Sequence, residues 1–183
     1  MPLPPEESRR ILEYARRAAA HAVRTGSPDP APPRDGPFAR PGGLFVTLRR
    51  RADGGLRGCI GHLSSERPLG ETLAEVARSA VLEDPRFPPV RPDELDGLAV
   101  EVSLLGEFTE TGDPLRDLRV GVHGLRIRRE GLGGILLPQV AAEHRLDGPA
   151  FLDAVCRKAG LPAGAWRDPA ARVDLFTAEV LAE

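Results

Sequence analysis

The stretch Leu44-Phe45-Val46-Thr47-Leu48-Arg49-Arg50-Arg51-Ala52-Asp53-Gly54-Gly55-Leu56-Arg57-Gly58-Cys59-Ile60-Gly61-His62 reads as a β-hairpin. A β-prone run enters it, Asp53-Gly54-Gly55 turns it, and a second extended run leaves. Side chains alternate along a strand, so Leu56 and Ile60 point one way and Arg57 and Cys59 the other. One face anchors the segment in a core, and the other presents a guanidinium beside a thiol. Gly58 and Gly61 leave the backbone open to close approach by another chain, a ligand or an unusual turn.

Around this hairpin the periodicity alternates between helix and strand. Ile11, Leu12, Ala15, Ala18, Ala19, Ala22 and Val23 recur at helical spacing and predict an amphipathic helix over 6–24. Residues 26–41 hold six prolines and read as an extended surface connector, either mobile or bracing. Leu69, Leu73, Val76, Ala77, Ala80 and Val81 predict a second helix, which ends at Asp84-Pro85 because a residue before proline avoids the helical region. Leu98, Val100, Val102 and Leu104 then alternate as the buried face of a strand, with Glu101 and Ser103 opposite. Further strands are expected over 120–127, 135–137 and 173–180, and a helix bearing Phe151, Leu152, Val155, Cys156 and Ala159 closes at Gly160. Helices and antiparallel strands without regular alternation give an α+β sandwich rather than a doubly wound sheet.

A length of 183 residues suits a single domain over 1–183, or one domain carrying a smaller lobe. The start, Met1 to Glu7, has neither the basic nor the apolar region of a signal peptide, and no apolar run has the roughly 20 residues that span a bilayer. The sequence therefore predicts a cytoplasmic protein that does not enter the membrane. Of its 25 basic residues only Lys158 is lysine, a compositional bias that discounts arginine as a ligand signal. The formal net charge of -2 also argues against nucleic acid, although Arg49-Arg50-Arg51 and Arg126-Ile127-Arg128-Arg129 are local basic runs. Cys59 and Cys156 form no CxxC pair and are expected to be reduced.

Cys59 is the sharpest chemical candidate. A neighbouring guanidinium favours the thiolate, so Arg57 would activate it as a nucleophile; the competing account is a small apolar residue in a tight glycine-rich hairpin. A base would come from His62, whose strand parity is wrong unless Gly61 breaks the register, or from His123 at a bend before Gly124. His21 and His144 have weaker claims. Arg57 and Arg86 form an anion-binding pair, Arg86 standing on a loop stiffened by Pro85, Pro88 and Pro89; a salt bridge from Arg86 to Glu101 competes with that role. Glu101 is either a general base or a bidentate lock on Arg57. No metal-ligand spacing is present, and Gly131, Gly133 and Gly134 do not make a dinucleotide fingerprint.

Leu56 to Gly61, with Phe45-Val46-Thr47-Leu48 before it and Asp84-Pro85-Arg86-Phe87 after it, resembles the AMMECR domain family, named for the AMME chromosomal region. Glu101-Val102-Ser103, His123-Gly124-Leu125, Leu137-Pro138-Gln139-Val140 and Lys158-Ala159-Gly160-Leu161 follow in the family's order, while the proline-rich stretch 28–41 departs from it. Within the family the chain is similar to protein A of the AmmeMemoRadiSam system. The resemblance implies an α+β fold of two unequal lobes, mainly antiparallel sheet packed with helices. The larger lobe would hold the N-terminal helix and C-terminal part, and the smaller about 62–105. It places the hairpin near an interlobe cleft that would bind a small anionic ligand or a partner segment. Ligand contacts would come from Arg57, Gly58, Gly61 and Arg86, with Cys59, Glu101 and His123 as catalytic candidates. The implied partners are a Memo-like protein and a radical-S-adenosylmethionine protein, and no activity or cofactor comes with them. A cysteine-dependent enzyme using Cys59 and a nucleic-acid-binding module are the alternatives.

Overall fold

The computed structural model describes residues 3–183, so the leader reading at Met1 and Pro2 lies outside the described residues. The chain forms two units of unequal size. The larger runs through Leu105 and takes in Glu179–Glu183; the smaller is Gly106–Ala178. Strands pair antiparallel in both, giving the expected α+β class.

In the larger unit, α1 (Pro5–Thr25) starts on a proline whose missing N–H a helix does not need and carries Glu6 and Glu7 in its positive first turn. Its apolar stripe, Ile11, Tyr14, Ala15, Ala18, Ala19 and Ala22, is buried. This stripe packs on α2 (Leu69–Leu82), where Leu73, Val76, Ala77 and Ala80 are equally buried. Beneath lies a three-stranded arrangement with β1 (Leu44–Arg50) between β2 (Leu56–His62) and β3 (Leu98–Leu105). Val46 stands opposite both Ile60 and Val102, so the alternation read from the sequence meets itself across three strands. A bulge between Leu48 and Arg49 shifts the hairpin register by one residue at its turn end. Residues 62–105, expected as a smaller lobe, carry α2 and β3, whose apolar faces are completed only by α1 and β1. They therefore belong to the larger unit.

The proline-rich connector is pinned rather than loose. Its 3-10 turn, Gly36–Ala39, buries Phe38 edge-on against Tyr14 with ring centroids 5.5 Å apart.

The smaller unit holds β4 (Thr109–Thr111), α3 (Pro114–Asp117), β5 (His123–Arg129), β6 (Leu132–Leu136), α4 (Pro138–Glu143), α5 (Gly148–Lys158) and most of β7 (Arg172–Ala182). β4 and β5 flank β7, and β6 pairs with β5. Leu125, Ile127, Phe151, Leu152, Val155 and Val173 form its core. The strand expected from Val120 begins only at His123, because Val120 and Val122 lie on a turn and are exposed. Among the described residues no helix is long and apolar enough to cross a membrane.

Candidate functional site

Cys59 sits in the middle of β2, opposite Thr47 of β1, which in turn faces Glu101 of β3. The three side chains form a row on the sheet face away from α1 and α2. The Thr47 hydroxyl donates to the Cys59 sulfur at 3.2 Å, and the thiol is half-buried. Glu101 accepts from Arg49 Nε at 2.8 Å, so its partner is Arg49 and not Arg57 or Arg86.

β2 is an edge strand, and the outward backbone groups of Cys59 need partners. Two side chains from the loop after α2 supply them, in the places a neighbouring strand would fill. Asp84 Oδ2 accepts from the Cys59 N–H at 2.8 Å, and Arg86 Nη2 donates to the Cys59 carbonyl at 3.1 Å. Arg86 also bonds both Asp84 oxygens, at 2.9 and 2.7 Å. The Asp84 carboxylate is 4% exposed, and Arg86, then the backbone donors, pull its pKa down to about 2. The depressed folded-state pKa means this contribution is complete above the ordinary carboxylate value. It is lost as pH falls through about 4 toward 2, and amounts to about 2 kcal/mol. Urea midpoints measured from pH 6 to pH 2 are expected to fall through that window, and an Asp84→Asn variant to show a shallower fall.

Arg57 is placed differently from Arg86. It is 8% exposed, and its fork is filled: Nε and Nη2 reach the two Glu94 oxygens at 2.9 and 3.1 Å, while Nη1 donates to the Pro88 carbonyl at 3.0 Å. The Arg57 guanidinium holds the Glu94 carboxyl below its usual range. The Phe87 ring borders both guanidinium groups, with centroid distances of 6.0 Å to Arg57 and 5.6 Å to Arg86. Glu94, on a 3-10 turn at Pro92–Gly97, was not singled out from the sequence; nothing in the pattern of residues 92–97 announces a partner 37 positions back.

The two glycines are explained by what lies over them. A Cβ on Gly58 would stand 2.4 Å from the Ala80 carbonyl oxygen, so α2 packs directly on the strand backbone. A Cβ on Gly61 would stand 2.3 Å from the Phe45 ring and 2.5 Å from the Leu44 carbonyl oxygen. Their role is packing within the hairpin and its helix.

The histidines take other places. His62 is exposed at the end of β2. His123 belongs to the smaller unit, where its Nδ1 accepts from the Arg119 N–H at 3.2 Å and its ring lines a cavity of about 590 Å³ with Asp117, Phe176 and Thr177. Among the described residues no three His, Cys, Asp or Glu side chains converge as a metal site. The basic runs are neutralised by the chain itself. Arg49 pairs with Glu101, Arg50 with Asp53, Arg51 with Glu183, Arg126 and Arg128 with Asp174, and Arg129 with Asp168.

The family model AMMECR1 matches residues 12–181, nearly the whole chain. The chain belongs to the AMMECR1 family. A protein of the archaeon Methanothermobacter thermautotrophicus is 43% identical over 189 residues, covering 100% of this chain and 97% of its own. A Methanopyrus kandleri protein is 38% identical and covers 97% and 89%. The crystal structure of an uncharacterized protein, PH0010, from Pyrococcus horikoshii matches with a TM-score of 0.90 at 37% identity, over 97% of this chain and 92% of that one. AMMECR1 membership thus extends through both units, from α1 to the end of β7.

Proposed function

We propose that this AMMECR1 protein acts by binding at the Cys59 face, recognising an anionic group on a small ligand or on a segment of a partner. Arg86, not Arg57, is the cation that meets it. Its side chain is 49% exposed, and its Nη1 has no partner among the described residues, whereas every arm of Arg57 is already bonded within the chain. The observation that carries this reading is the way Cys59 is held. Asp84, Arg86 and Thr47 fix its N–H, its carbonyl and its sulfur, and none of the three is positioned as a base for the thiol. A cysteine nucleophile is therefore the weaker alternative. The internally paired basic runs speak against nucleic-acid binding, which needs arginines free to meet phosphates.

The AmmeMemoRadiSam resemblance supplies the partners to try first, a Memo-like protein and a radical-S-adenosylmethionine protein. Two unpaired cysteines fit a cytoplasmic, reducing setting for such a complex. Affinity capture with the tagged protein tests the proposal. Arg86→Gln is expected to weaken partner retention about tenfold or more, in line with loss of a charged hydrogen bond, and Cys59→Ser to leave it unchanged. Retention that is indifferent to Arg86, with a chemical turnover lost in Cys59→Ser, would replace the binding reading with the nucleophile.

A further inference from the structure

The proline-rich connector, which departs from the family pattern, builds something of its own against α1. Pro33 and Phe38 from the connector, with Arg10, Glu13, Tyr14 and Arg17 from successive turns of α1, line a cavity of about 330 Å³. That is far more than the roughly 30 Å³ share of one water. Tyr14 is 4% exposed, and its hydroxyl is buried with no hydrogen-bond partner among the described residues. An unmet hydroxyl in such a place is unfavourable unless something else meets it.

The remaining polar groups indicate what that partner is. The Arg17 guanidinium lies over the Tyr14 ring, 4.9 Å from its centroid, and its Nε is 3.5 Å from Asp29. Arg10 lies over Phe38 at 5.5 Å and gives Nη2 to Asp35 at 2.6 Å. Each guanidinium thus keeps nitrogens that no aspartate uses. The acid on the lining, Glu13, faces Arg9 at 3.8 Å. Donors converge on a wall that is otherwise Pro33, Phe38 and the Tyr14 ring.

We propose that this cavity is a binding site for a small oxyanion, a carboxylate or phosphate carried on a compact apolar body, which the Tyr14 hydroxyl meets as donor and Arg10 and Arg17 flank. It is separate from the Cys59 face and does not depend on the reading given for it.

Tyr14 is the single tyrosine of the chain, so ¹³C-tyrosine labelling gives one ring signal that reports on this cavity alone. Phenyl phosphate and benzoate at millimolar concentration are expected to move that signal with saturation, and benzylamine, a cation with the same ring, to leave it in place. Tyr14→Phe, followed by calorimetry with the same probes, is expected to bind about fivefold more weakly or worse, and Arg17→Gln likewise. Without probe, Tyr14→Phe is expected to melt no lower than the wild type, since the deleted hydroxyl has no partner to lose. A Tyr14 signal indifferent to both oxyanions, an equal response to benzylamine, undiminished binding by Tyr14→Phe, or a lower melting temperature of that variant, which would reveal an ordered water already bonded to the hydroxyl, would each overturn the proposal.

Discussion

Gly58→Ala is expected to destabilise the protein by about 3 kcal/mol or more, the upper end of what overpacking does in a filled core. The added methyl would lie 2.4 Å from the Ala80 carbonyl oxygen, a backbone atom that no rotamer change can move aside. Relief requires α2 to lift from β2. Leu73, Val76, Ala77 and Val81 on the same helix are at most 2% exposed, so lifting it opens the larger unit's core along its length. Against a total stability of roughly 5–15 kcal/mol, such a loss shows directly in the urea midpoint or in soluble yield. Gly42→Ala is the matched control, because nothing lies within 4 Å of its Cβ position and its backbone is not left-handed. A Gly58→Ala variant as stable as Gly42→Ala would mean that the helix does not rest on this strand.

The second large effect is expected at Glu94. Glu94→Ala strands the Arg57 guanidinium, whose side chain is 9% exposed, with only backbone carbonyls as partners. Breaking one side of a buried pair costs about 3–5 kcal/mol, mostly the desolvation of the charge left behind. Arg57→Ala should cost less than Glu94→Ala, because Glu94 is 28% exposed and keeps the Arg91 N–H at 2.9 Å. Replacing both, Arg57→Met with Glu94→Leu, should recover much of the loss, as apolar substitutes for a buried pair often do. Chemical denaturation of the two single variants and the double variant measures the coupling. Additive losses would show that the two side chains do not act as a pair.

These two effects mark where the sequence is informative and where it falls silent. Local periodicity carried α1, α2, β1 to β3, α5 and β7, and the Gly160 helix end, because each buries one regular face. β4 is Thr109-Glu110-Thr111, with no apolar side chain to betray it, and α3 and α4 are too short to show a helical period. The glycines of the hairpin announced a close approach, but not that α2 and Phe45 were what approached. The candidate site divided in the same way. The strand parity placing Arg57 and Cys59 on one face was legible; the partners were not. Glu94 for Arg57, Asp84 for Arg86, and Arg49 for Glu101 are set by tertiary packing, and the first of these spans 37 residues. A guanidinium that looks free in a sequence is one whose carboxylate lies elsewhere in it.

The central claim is that the chain displays the Cys59 sulfur on an open sheet face while holding its neighbours rigidly inside. Iodoacetamide labelling of the native protein, followed by peptide mass spectrometry, tests it directly. Cys156 is 0% exposed on α5, and burial pushes its thiol pKa up, so it is the internal reference. Cys59 is expected to be modified in the folded protein, and Cys156 only after denaturation. Protection of Cys59 equal to that of Cys156 would contradict the account and make the thiol a packing residue.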